Sequence, residues 1–300
     1  TSDRNTTPHS PNPANTVTTP QVLDSAELKF QISFKTKIAE NLFGDNGDIW
    51  AGYTQSSRWQ AYNAENSRPF RETNYEPEVM MVFRNGYSIG GWRGRMTGIG
   101  LNHQSNGRPD PLSRSWNRVM LNVGLDRENW ALVLRPWYRI PETRSDDNNP
   151  DIEDYMGRGD ATLVWNRNGH EIALMGRHSL RSGDRSHGAL QLDYGFPISN
   201  LLRGHVQVFD GYGESMIDYN HKRTVLSLGL SLVEQTYLNS AGAELRHAQR
   251  FLFPGLGVTA SAGLSRWPND ADRLDTLAAN ADTAMYHAKS SGANRYLFFN

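Results

Sequence analysis

From Glu27 onward, apolar and polar residues alternate. Leu28, Phe30, Ile32 and Phe34 fall on one side, and Lys29, Gln31, Ser33 and Lys35 on the other. A period of two means an extended strand with one apolar face. The pattern is clearest at residues 224–233, where Leu226, Leu228, Leu230 and Leu232 alternate with Ser227, Gly229 and Ser231. Segments near 48–60, 74–84, 91–105, 116–126, 129–140, 155–166, 170–180, 187–197 and 203–213 read the same way, with turn residues at Asn85-Gly86, Asn168-Gly169 and Ser182–Asp184. The sum is about eleven strands of roughly ten residues, with almost no helical period before residue 235. Two all-β architectures share this pattern. One is a soluble sandwich or barrel. The other is an antiparallel transmembrane β-barrel, apolar outward and polar inward. Trp50, Trp59, Trp92, Trp130, Trp137 and Tyr138 would serve as interfacial girdles in the second or as core in the first.

Composition narrows this only slightly. The 300 residues are 37% hydrophobic, and the mean hydropathy of -0.64 taken alone suggests a soluble protein. A transmembrane barrel, however, needs apolar residues only at every second position. No stretch approaches the ~18 apolar residues of a spanning helix, and the start does not resemble a signal peptide. The chain opens at Thr1 without an initiator Met, which suggests processing or trimming. A net charge of -1 gives no basic field for nucleic acid, and the absence of cysteine excludes thiolate metal sites and disulfides. Residues 1–25, rich in Thr, Asn, Pro and Ser, read as a flexible N-terminal arm. After Gln235 the grammar becomes α/β. Leu274, Leu277, Ala278, Ala281, Met285 and Ala288 form a helical stripe, flanked by strand-like runs at Val258–Leu264 and Tyr296–Phe299.

The chemistry concentrates in Gly100-Leu-Asn-His-Gln-Ser-Asn-Gly-Arg-Pro-Asp-Pro-Leu-Ser-Arg-Ser-Trp-Asn117. Ile99, Leu101, His103 and Ser105 share one parity; Asn117 shares that of Val119, Leu121, Val123 and Leu125. In a barrel these faces point at lipid. Polar side chains ending a lipid-facing stripe are costly unless they serve a purpose. A His and a Ser two apart on a strand stand side by side, so the imidazole can take the hydroxyl proton. Asn117, across the hairpin, can orient the ring without a charge that would be expensive beside hydrocarbon. A polar surface turn would carry the same residues, and His-X-Ser alone does not separate the two.

This segment resembles the active-site signature of bacterial outer-membrane phospholipase A. Supporting stretches are Tyr53-Thr-Gln-Ser-Ser-Arg-Trp-Gln60, Pro69-Phe-Arg-Glu-Thr-Asn-Tyr-Glu-Pro77, Arg135-Pro-Trp-Tyr138, Asn149-Pro-Asp-Ile152 and Gly211-Tyr-Gly-Glu-Ser-Met-Ile-Asp-Tyr-Asn220. The resemblance covers residues 1–234. It implies a twelve-stranded barrel over 26–234, integral to the bacterial outer membrane and active as a homodimer. It implies calcium-dependent hydrolysis of acyl esters in phospholipids and lysophospholipids, of phospholipase A1/A2 type. By the same resemblance Ser105 is the nucleophile, His103 the base and Asn117 the orienting group. The Gly107 amide and a calcium-bound water would serve the oxyanion. Calcium would be held by the Ser113 side chain, the Arg108 carbonyl and the partner's Ser67 carbonyl, with Asp110 in support. Gln55 matches a polar position of the dimer interface. Leu112 departs from the family's usual hydroxyl residue, and the first strand of the family pattern is missing before Thr1.

Residues 235–300 resemble the C-terminal part of a diguanylate cyclase domain of GGDEF type. The matching stretches are Val258-Thr-Ala-Ser-Ala-Gly263, Ala281-Asp-Thr-Ala-Met-Tyr-His-Ala-Lys289 and Gly292-Ala-Asn-Arg-Tyr296. The nucleotide-binding turn is not among them, so this partial α/β segment implies no cyclase activity. Two rivals to a lipid hydrolase follow: a catalytically inactive barrel or fusion relic, and a signalling protein with a degenerate GGDEF segment. The intact His103, Ser105 and Asn117 set speaks against the first, and the missing turn against the second.

Overall fold

The computed structural model describes residues 4–199, 202–232, 262–264 and 296–298. Strands β1 (Leu28–Ala39), β2 (Asp48–Trp59), β3 (Phe70–Arg84), the two-residue β4 (Ser88–Ile89), β5 (Trp92–Ser105), β6 (Ser115–Arg127) and β7 (Trp130–Ile140) come first. A short helix α1 (Ile152–Met156) precedes β8 (Gly159–Arg167), β9 (His170–His178), β10 (Gly188–Pro197), β11 (Leu202–Gly211) and β12 (Arg223–Leu232). These strands form one twelve-stranded sheet in which each long strand pairs antiparallel with its sequence neighbours and β4 adds to β5. Among the described residues β1 and β12 are its two edges and do not pair with each other. The segment expected as a strand from 155 begins instead at Gly159, because Ile152–Met156 takes one helical turn and buries Ile152 and Met156. No described helix is long and apolar enough to cross a membrane.

Alternation along each strand becomes two faces. Outward stand Leu28, Phe30, Ile32 and Phe34 of β1, Ile99 and Leu101 of β5, Leu190 and Leu192 of β10, and Leu226, Leu228 and Leu230 of β12, all exposed. Inward stand buried polar and charged groups: Asn74, Asn102, Arg118, Asn122, Asp126, Asp193 and Gln207. A globular domain buries the first set and exposes the second. The inversion is what a membrane barrel requires. The aromatics divide along the same line. Trp130 and Tyr138 are exposed, as a girdle requires, whereas Trp50 and Trp137 are each 9% exposed and pack inward. Their parity on the strand, not their nearness to its end, decides the side.

The sheet curls, since the segment after β11 reaches back to the first strands. Arg58 of β2 pairs with Glu214 at 2.9 Å, and Arg71 of β3 with Asp218 at 2.5 Å. The Ile217 N–H donates to Glu72 over 3.1 Å. Burial alone would raise the Glu214 carboxyl, but Arg58, Lys29 and Arg71 hold it well below the usual carboxylate range. The N-terminal arm is part of this packing rather than loose. Asn15 is 1% exposed, Val17 packs with Leu112 and Ile217, and the Asn5 amide donates to Asp218 over 3.0 Å.

The helix expected within 272–290 lies outside the described residues. Two short strands beyond the sheet, β13 (Ala262–Leu264) and β14 (Tyr296–Phe298), pair in parallel. They fall within the runs that the sequence marks as strand-like.

Candidate active site

Hairpin β5–β6 positions the central residues. Its register sets His103 opposite Asn117 and Ser105 opposite Ser115. All four are partly exposed on the outer face, next to exposed Ile99, Leu101 and Leu121. His103 Nδ1 and Asn117 Oδ1 are 2.8 Å apart. An amide oxygen only accepts, so the imidazole donates from Nδ1 and keeps an Nε2 lone pair. Among the described residues no hydrogen bond joins the Ser105 hydroxyl to that ring; the two side chains share the face two positions apart on β5. Asn117 donates from Nδ2 to Glu142 Oε1 over 3.0 Å.

Behind this face the strands are fixed by the lumen. Trp116 is fully buried and its indole N–H donates to Gln104 over 2.9 Å. Arg118 lies over the Trp116 ring at 4.2 Å and pairs with Glu76 at 2.9 Å. Glu76 also accepts from Asn102 over 3.0 Å. Buried polar networks of this kind restrict a strand to one geometry.

The loop 106–114 is shaped by its own side chains. Buried Asn106 accepts from the Arg114 N–H at 2.9 Å and donates to the Leu112 carbonyl at 2.8 Å, closing the loop on itself. Gly107 has φ +58°, and a Cβ there would stand 2.6 Å from the Tyr75 ring. Both conditions favour glycine. Asp110 accepts from Asn15 over 2.7 Å, and Ser113 Oγ accepts from Asn148 over 2.8 Å. Asn149 braces the start of β6 by accepting from the Ser115 N–H at 2.9 Å and donating to its carbonyl at 3.0 Å. Leu112 is buried against Val17 and Ile217, which gives this apolar residue a packing reason where the family pattern has a hydroxyl.

His103, Ser105, Gly107, Arg108, Asp110, Ser113 and Asn117 thus lie on one hairpin. Two expected residues do not. Ser67 lies in the exposed turn between β2 and β3, with φ +60°. Gln55 is on the outer face of β2, accepting from the Tyr53 hydroxyl over 3.0 Å. Gln55 pairs with Tyr75 and Tyr75 with Ser105, so the three form one row across the outer face. Two strand spacings separate the row's ends, about 10 Å. Among the described residues no group of three or more His, Cys, Asp or Glu could hold a metal. The hairpin offers oxygens of low charge instead: the Arg108 carbonyl, the Ser113 hydroxyl and the nearby Asp110. That set is too small for calcium, which takes 6–8 oxygens; it fits the ion only with ligands added from water or a second molecule.

Sequence reasoning missed Asn15, Asn106, Asn148 and Glu142. Asn106 sits inside the recognised segment, where its spacing to Arg114 is a signal. The others come from distant segments, and only the fold brings them in.

A family model described as phospholipase A1 matches residues 1–232. The chain belongs to the phospholipase A1 family. A phospholipase A1-type protein of Neisseria meningitidis serogroup B is 45% identical over 210 residues, 68% of this chain and 54% of its own length. The chain thus spans about half the length of that relative. Phospholipase A1 of Escherichia coli K12 is 39% identical, over 69% of each chain. Among solved structures, outer membrane phospholipase A from Escherichia coli superposes with a TM-score of 0.64 at 39% identity, covering 69% of this chain and 78% of that one. The Salmonella typhi outer membrane phospholipase, a dimer with bound calcium, gives 0.64 at 38% identity over the same shares. Membership sets the chain among ester-hydrolysing phospholipases of the outer membrane, and the inverted burial of its sheet agrees.

Proposed function

We propose that this chain hydrolyses acyl esters of phospholipids and lysophospholipids in the outer membrane, using Ser105, His103 and Asn117. The observation that carries this reading is the 2.8 Å contact between His103 Nδ1 and Asn117 Oδ1 on the face that holds Ser105. It leaves Nε2 as the basic nitrogen. His103 takes the Ser105 proton as Oγ attacks the ester carbonyl, then returns it to the departing lysolipid or glycerol oxygen. Water repeats the cycle on the acyl-enzyme. Contacts between nucleophile and base commonly tighten only with substrate in place. The Gly107 N–H serves the developing oxyanion. Apolar Ile99, Leu101 and Leu121 line the approach, so an acyl chain reaches Ser105 along the face it already occupies in a bilayer.

Calcium, when bound, would add positive charge beside the oxyanion. The Arg108 carbonyl and Ser113 hydroxyl would hold it, supported by Asp110. A set with so little charge binds weakly, and the Ser67 carbonyl of a second copy would strengthen it. Gln55, a polar residue on the outer face in the row of Ser105, fits the contact between copies. We also read residues 235–300 as a partial GGDEF-like segment without cyclase activity.

The test is fatty-acid release from phospholipid in detergent micelles by the full chain. Release that needs millimolar-range calcium, and more calcium for Ser113→Ala, is the expected result. Full release in excess chelator contradicts the calcium reading, and no release under any condition contradicts the hydrolase.

A further inference from the structure

We propose that Glu142 is a positioning residue: it fixes the side-chain amide of Asn117 so that His103 keeps the tautomer a general base needs. This rests on the hydrolase reading above.

The contacts run in series. His103 Nδ1 meets Asn117 Oδ1 at 2.8 Å, and Asn117 Nδ2 donates to Glu142 Oε1 at 3.0 Å. The backbone delivers Glu142 to this point. Asn117 pairs with Ile140, the last residue of β7, and Glu142 follows two positions later.

An asparagine in this role has a weakness that an aspartate lacks. Its side chain has one accepting end and one donating end. With Oδ1 toward the ring, the proton sits on Nδ1 and Nε2 is free to take the Ser105 proton. With the amide turned over, Nδ2 would donate to Nδ1. The ring proton would then sit on Nε2, and the base would be lost. Nothing in Asn117 itself selects between the two. An ionised carboxylate does, because it only accepts and therefore pairs only with Nδ2.

Glu142 also brings negative charge within one side chain of the imidazolium that forms during attack. The carboxylate stays in the 141–151 connection, off the apolar face where its desolvation would be expensive. Besides Asn117 and His103, the groups acting on Glu142 are Arg139 and Asp147. Burial pushes its carboxyl up, so the proton that would relax the selection arrives at a milder pH than for a free glutamate. A protonated carboxyl both donates and accepts, and so tolerates either amide orientation.

The test is a double-mutant cycle in calcium-containing detergent micelles, reading kcat and KM. In the native background Glu142→Ala and Glu142→Gln should lower kcat about tenfold with KM unchanged. In an Asn117→Asp background the same changes should cause no loss, because a carboxylate at position 117 accepts on both oxygens and needs no guard. Equal losses in both backgrounds would show a merely structural role, and no loss in either would show no role; each overturns the proposal. The ¹⁵N spectrum of His103 at neutral pH gives a readout independent of turnover. Protonation at Nδ1 in the parent chain and a mixture of tautomers in Glu142→Ala support the proposal, whereas identical spectra overturn it. A parent chain that releases no fatty acid but shows the tautomer change would defeat the hydrolase reading alone.

Discussion

Hairpins β5–β6 and β11–β12 follow the same alternation but end differently. The outer face of β12 stays apolar, with Leu226, Leu228 and Leu230 each at least 65% exposed. The outer faces of β5 and β6 begin the same way and close with His103, Ser105 and Asn117. The loops differ as well. Residues 212–222 are fastened by buried ion pairs among Glu214, Asp218, Arg58, Arg71 and Arg223. Residues 106–114 hold no such ion pair network: they are fastened by the amides of Asn106, Asn15 and Asn148 and by the buried Arg114 guanidinium, which donates to the carbonyls of Pro111, Ser113 and Asn15. The difference teaches where each kind of contact belongs. Full charges hold the structure inside the lumen, where opposite charges surround them. The outer face beside hydrocarbon, where an unpaired charge would cost several kcal/mol, carries imidazole, hydroxyl and amide groups, and the charges of Asp110, Arg114 and Glu142 stay in the loops.

The largest break in that comparison comes at the hairpin's tip. His103→Ala should lower fatty-acid release by about three orders of magnitude or more while the sheet stays folded. Folding is checked by heat-dependent gel mobility in detergent. An activity loss that tracks unfolding would put His103 with the structural loop.

Next in size is Arg71→Ala. It takes from Glu27 its arginine and from Glu72 and Asp218 one arginine each, leaving them Arg58 at 3.7 Å and Arg223 at 3.2 Å, so the cost is about 3 kcal/mol, the low end for a broken buried set. Urea unfolding in detergent should show it, with turnover per folded molecule little changed. The same network makes the fold acid-sensitive. Glu214 is depressed in the folded chain, so its contribution is fully present above the unfolded carboxyl value, about 4.3, and is lost as pH falls below it. Stability that stays flat from neutral pH down to strong acid would contradict this.

A finer probe is Gly107→Ala. The left-handed φ and the Tyr75 ring 2.6 Å from a new Cβ should together lower kcat several-fold without unfolding the sheet. Tyr75→Ala in the same chain should recover part of the loss, since it removes the clash but not the backbone strain. No loss in the single variant would separate Gly107 from the oxyanion.

Much of this was legible in the sequence, and the reasons are physical. Strand alternation has a period of two, so the parity of His103, Ser105 and Asn117 with Leu101 and Val119 assigns their face before any fold is known. Charged residues inside the sheet show the same parity rule from the other side. His103, Ser105 and Asn117 are recognisable as a candidate set because they lie within one hairpin. Asn15 and Glu142 are not, because their partners are 95 and 25 residues away, and no periodicity links them. Nearness to a strand end leaves Trp50 and Trp137 open between girdle and core, and parity decides for the inside.

The smallest expected effect concerns the C-terminal segment. Every residue assigned to the site lies within 15–149, so deleting residues 235–300 should leave release from an otherwise folded chain unchanged within about twofold. A large loss would mean that the segment takes part in the site or in the sheet.

The account's central claim is that Ser105 is the nucleophile that His103 activates. The most direct measurement is reaction of the folded full chain with a sulfonyl fluoride in calcium-containing micelles, followed by peptide mass mapping. A single adduct on Ser105, lost on prior unfolding and absent from His103→Ala, is the predicted result. An adduct on any other residue, or one on Ser105 that forms equally well in His103→Ala, would contradict it.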